Sequence, residues 1–70
     1  ALMYEIYIEG IVKTISDERL EKWKISETLQ GETRLRGPVR DSSELYGILA
    51  CLRDGGFTIT KVNRLKTHRK

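Results

Sequence analysis

Cysteine, histidine, proline, methionine, tryptophan and phenylalanine each occur once in these 70 residues. With Cys51 alone, no intrachain disulfide can form. Zinc sites gather Cys, His or acidic ligands at set spacings, whereas Cys51 and His68 stand apart in different segments. Nucleophilic chemistry at Ser42, Ser43 or Cys51 would need a neighbouring base, and the one histidine lies third from the chain end. Neither standard phosphate-loop spacing of glycines is present. The most apolar stretch, residues 3–12, is broken by Glu5 and Glu9 and falls far short of the roughly 20 residues a membrane helix needs. No signal-peptide pattern opens the chain, and a lone cysteine suits a reducing compartment. These absences predict a cytoplasmic protein without catalytic residues, metal or cofactor.

The acidic residues are missing from one region only. Residues 61–70 hold Lys61, Arg64, Lys66, Arg69 and Lys70 with no acid, while residues 1–60 carry eight basic and ten acidic side chains. The net charge of +3 therefore comes from the C-terminus. We expect a single domain over residues 3–65, starting at Met3, and a basic, unstructured tail over 66–70. A chain this short buries only about 60% of its unfolded surface. Small scaffolds compensate with disulfides, metals or partner subunits, and here a partner subunit is the support left open.

Tyr4, Ile6 and Ile8 alternate with Glu5, Tyr7 and Glu9, the period of a half-buried strand. Ser16-Asp17-Glu18 reads as a helix start with Ser16 as N-cap, and Ile15 and Leu20 stand at hydrophobic-staple positions. The predicted short helix ends near Lys24, anchored by Leu20 and Trp23. Strand-like runs over 25–29 and 32–39 flank Gln30-Gly31, which suggests a tight hairpin. Asp41 and Glu44 form a capping-box pattern ahead of Leu45, Ile48, Leu49 and Leu52, one helical stripe. Gly55-Gly56 supplies a stop. A last strand follows from Phe57, with its apolar phase slipping by one residue near Lys61. The order strand-helix-strand-strand-helix-strand predicts an α+β, ferredoxin-like βαββαβ plait: a four-stranded antiparallel sheet with two helices on one face. Its expected core is Leu20, Trp23, Leu35, Leu45, Ile48, Leu49, Leu52, Phe57 and Ile59.

From residue 32 to 65 the chain resembles a family of small uncharacterised prokaryotic proteins. The resemblance rests on Thr33-Arg34-Leu35-Arg36-Gly37-Pro38-Val39, Asp41, Leu45-Tyr46-Gly47, Leu52-Arg53-Asp54 and Val62. It implies a ferredoxin-like domain and carries no activity. Members of that set place Gln after the aspartate, where this chain has Ser42.

Two surfaces are candidates for function. Opposite the apolar stripe of the second helix, Gly47, Ala50 and Cys51 are small and uncharged, which permits close approach of a second subunit or another protein. The outer sheet face holds Tyr7, Arg34 and Arg36 together with Glu5 and Glu9. Ile6-Tyr7-Ile8-Glu9-Gly10-Ile11 is like the shorter RNA-recognition signature, yet the third strand lacks the aromatics of its counterpart. We therefore expect a small non-enzymatic, self-associating interaction module whose core is small for a domain standing alone. The alternative is a nucleic-acid binder using Tyr7, Arg34, Arg36, Lys61, Arg64, Lys66, Arg69 and Lys70.

Overall fold

A computed structural model describes residues 2–66. Four strands, β1 (Leu2–Glu9), β2 (Lys24–Glu27), β3 (Glu32–Val39) and β4 (Ile59–Leu65), form one antiparallel sheet in the order β2-β3-β1-β4. Among the described residues there is a single α-helix, α1 (Ser42–Asp54), which connects β3 to β4. The two-helix ferredoxin-like plait is not what forms: between β1 and β2 there is one 3-10 turn, Glu18–Leu20, and no α-helix. Its cap is Asp17 rather than Ser16, with the Asp17 carboxylate accepting from the Arg19 amide at 2.8 Å. The reason is a shortage of apolar surface. Leu20 and Trp23 are the segment's two buried residues, enough to pin one turn but not to offset the cost of propagating a helix.

Helix α1 follows its local signals closely. Asp41 Oδ1 accepts from the Glu44 amide at 2.9 Å, and Glu44 reaches back one residue past the cap to accept from the Arg40 amide at 2.7 Å. At the far end the Gly56 amide donates to Arg53 and the Phe57 amide to Leu52, a Schellman motif with Gly56 at φ +90°. The hairpin loop is one residue longer than expected. Leu29-Gln30-Gly31 turn between Thr28 and Glu32, the Thr28 hydroxyl accepts from the Gln30 and Glu32 amides, and Leu29 is fully exposed at the tip.

Ile6 and Ile8 of β1, Leu35 and Val39 of β3, Leu45, Ile48 and Leu52 of α1, and Leu20 and Trp23 make the core. Fully buried Thr33 holds the chain leaving β1: its hydroxyl donates to the Gly10 carbonyl at 2.7 Å and accepts from the Val12 amide at 2.8 Å. The expected core members Leu49, Phe57 and Ile59 are only half-buried. All three lie toward β4, where no described element covers the sheet beyond α1.

Trp23 packs flat against Gly37 of β3; a Cβ at Gly37 would sit inside the contact distance of the indole ring atoms. This accounts for the glycine within Arg36-Gly37-Pro38. Gly37→Ala should displace the indole and destabilise the fold by about 1–3 kcal/mol. Urea unfolding followed by Trp23 emission measures this, since Trp23 is the sole tryptophan. Unchanged stability and emission would mean the ring does not rest there.

Candidate functional site

The outer sheet face brings together four of the eight residues singled out for nucleic acid, Tyr7, Arg34, Arg36 and Lys61. Register places Glu5 opposite Arg36 and Tyr7 opposite Arg34 on one side, and Tyr7 opposite Lys61 on the other. These side chains are already engaged with one another. Arg36 grips Glu5 through Nη2 at 2.6 Å and Nε at 3.2 Å, and the Glu5 side chain is only 9% exposed. The Tyr7 hydroxyl donates to Glu5 at 3.4 Å, Arg34 Nε to the Ser26 hydroxyl at 3.3 Å, and the Lys61 ammonium stands 5.3 Å from the Tyr7 ring centroid. Hydrogen bonding and charge from Arg36 hold the Glu5 carboxyl below the ordinary glutamate value, against the opposing pull of burial.

Arg64 does not join this face. Opposite Tyr4, it points to the α1 side of the sheet, while Lys66 is exposed just beyond β4. The cause is a bulge. Ile59 pairs with Ile8 and Lys61 with Tyr7, leaving Thr60 as an extra residue. Its hydroxyl hydrogen-bonds the Tyr7 carbonyl at 3.3 Å and Glu32 at 2.8 Å. This is the phase slip visible in the sequence near Lys61. Arg69, Lys70 and His68, and with them most of the expected tail, lie outside the described residues.

The small-residue face of α1 is divided among three environments. Cys51 faces the 3-10 turn and donates its thiol to Asp17. That hydrogen bond, with burial, pushes the thiol's pKa up, and the same bond draws Asp17 down. Gly47 sits near Arg19, Arg40 and Ser43 around the start of the helix. Ala50 instead lines an open groove on the β4 flank, about 540 Å³ in volume, with Tyr46, Leu49, Arg53, Phe57, Thr58 and Ile59. Tyr46 is 66% exposed there, and Val62 is 38% exposed although it pairs with fully buried Ile6. Of the residues along this strip, the sequence singled out only Ala50 as a candidate contact. The strip's signal was present in the position of Tyr46, Leu49 and Arg53 on one flank of the helix, next to the apolar positions of β4.

Among the described residues no three His, Cys, Asp or Glu side chains gather as a metal site, and no helix is long and apolar enough to cross a membrane.

Two measurements probe these pairs. A carboxylate with a depressed folded-state pKa contributes stability that is present above its unfolded value and lost as pH falls through its folded value. Urea titrations across the acid range should therefore show Glu5→Gln less stable than wild type at neutral pH, with a shallower further loss on acidification; parallel curves would remove the Glu5–Arg36 contribution. Asp17→Asn keeps a side-chain acceptor for the Arg19 amide but removes the negative charge beside Cys51. Iodoacetamide should then alkylate Cys51 faster at neutral pH than in wild type, because more of it is thiolate. Equal rates would mean that Asp17 does not hold the proton on sulfur.

No curated protein and no solved structure matches the chain. A family model described as a domain of unknown function, DUF8691, matches residues 3–63. The match takes in β2, β3 and α1 entirely and most of β1 and β4, and the chain belongs to the DUF8691 family.

Proposed function

We propose that this domain is a binding module for another polypeptide and performs no chemistry of its own. Its working surface is the strip along β4, where the α1 side of the sheet is left partly bare. The observation that carries this reading is the exposure of Tyr46 and Val62 beside half-buried Leu49, Phe57 and Ile59, an apolar band bounded by an unpaired sheet edge. Isolated exposed apolar residues are ordinary on a protein surface; a contiguous band with a shaped groove is what interaction sites use. The chemistry around Cys51 supports the non-enzymatic part, since a thiol held protonated by Asp17 is a poor nucleophile.

On the outer face, the arginines and the tyrosine that nucleic acid would need are bonded to Glu5, Ser26 and Lys61, with Glu9 and Glu32 paired beside them. Phosphate would have to displace Glu5 from Arg36, so this face ranks below the β4 strip. Self-association fits the small core, but two copies meeting across the strip would gather Arg53 and Arg64 of both at one seam.

Selection of a displayed random-peptide library on the full chain tests the reading, with Val62→Glu as the counter-target. Peptides enriched on wild type and lost on Val62→Glu support it. Enrichment indifferent to Val62, or none at all, overturns it. Sedimentation equilibrium run alongside shows whether a second copy already occupies the strip.

A further inference from the structure

We infer that the occupant of this strip is an extended segment of another protein in which apolar and acidic side chains alternate, added as a fifth strand to the free edge of β4. This deepens the binding-module reading and rests on it. Three observations on the same few residues lead there.

The first is the edge itself. β4 is seven residues long and pairs with β1 on one side only; no described strand pairs with the other. Alternate backbone amides and carbonyls along Ile59–Leu65 therefore point outward, the template on which strand addition is built. The other edge, β2, offers only four residues.

The second is the placement of the apolar band. An added strand lies about 4.8 Å beyond β4, and its side chains alternate between the two sheet faces. Those on the α1 side would fall against Ile59, Val62 and the groove walled by Tyr46, Leu49 and Phe57. They would finish the covering that α1 leaves incomplete. Apolar side chains are what that position accepts.

The third is charge. Lys61, Arg64 and Lys66 stand along β4 with no acidic residue between Ile59 and Lys66. Arg53 lines the groove, and its partner Asp54, at 3.5 Å, is itself three-quarters exposed. Glu32 touches the strand only at the bulge, through Thr60. Side chains of the added strand on the outer face would lie beside Lys61 and Asn63, and a carboxylate there meets the Lys61 ammonium, while Arg64 and Arg53 add positive charge on the α1 side. A β4–β4 pairing would gather Lys61, Arg64 and Lys66 of both copies at one seam with no acid from either strand, and like charges so gathered repel. Edge and charge together thus discriminate against a second copy and in favour of an acidic strand.

The test uses the full chain and labelled synthetic peptides as long as β4. One alternates Val or Leu with Glu. A second replaces each Glu by Lys. A third keeps the Glu peptide's sequence but carries N-methyl groups on alternate residues, which remove backbone donors without altering the side chains. Fluorescence anisotropy should show binding of the Glu peptide that weakens with salt, and at least tenfold weaker binding of the Lys and N-methylated peptides. Bound Glu peptide should also slow amide hydrogen exchange within Ile59–Leu65. In the variant Lys61→Glu, checked for folding by Trp23 emission, the preference should turn to the Lys peptide. Equal binding of Glu and Lys peptides, or indifference to N-methylation, overturns the acidic-strand inference. If library peptides bind the strip in a Val62-dependent way while the Glu peptide does not bind, this inference fails and the module reading stands. If nothing binds, both fail.

Discussion

A four-stranded sheet is wider than one helix. Strands spaced about 4.8 Å apart present a face nearly twice as broad as a helix about 10 Å across, and α1 is the only α-helix among the described residues. Its buried Ile48 and Leu52 share one cluster with Ile6, Ile8, Leu35 and Val39 of the two central strands, all with almost no exposure. Everything else in the structure answers the question of what covers the flanks. Toward β2 the 3-10 turn and Trp23 do so economically, a single indole lying where a side chain on β3 would otherwise project. Toward β4 the covering thins out, and apolar residues meant for a core by their composition end half in water.

The outer face is governed by a different economy. With no layer above it, it satisfies its charges within itself. Glu5 is enclosed by Arg36 across the ladder, Tyr7 along its own strand and Asn63 on the far side. A carboxylate this enclosed is tolerable because it accepts three hydrogen bonds, two from one guanidinium. Those bonds fix the relative register of β1 and β3 while leaving few free donors for an outside ligand.

What could be read in advance was whatever the chain encodes within a few residues. Asp41, Glu44 and Gly56 mark α1 because caps act over one turn, and the slipped apolar phase at Lys61 announced the bulge. The strand succession was legible for the same reason. The first helix was misjudged because Ser16-Asp17-Glu18 is a genuine start signal, while propagation depends on later apolar contacts that Leu20 and Trp23 alone cannot supply. Phe57, Leu49 and Ile59 looked like core because hydrophobicity does not reveal how far a helix reaches across a sheet. The burial of Glu5 was hidden too, since a charge at an outward strand position reads as solvated until its neighbours' packing is known. The bare strip along β4 is the sum of these non-local effects.

The ladder that joins the start of β1 to the end of β4 has an architectural consequence. Met3 near the start of β1 is the direct cross-strand partner of Leu65 at the end of β4, so the backbone comes into the fold and leaves it about 5 Å apart. A unit with such closely spaced ends can be spliced into a surface loop of a larger host without prying the host open. The same geometry allows the ends to be tethered and the ring reopened at the exposed Leu29 tip, giving a permuted chain with its sheet order intact.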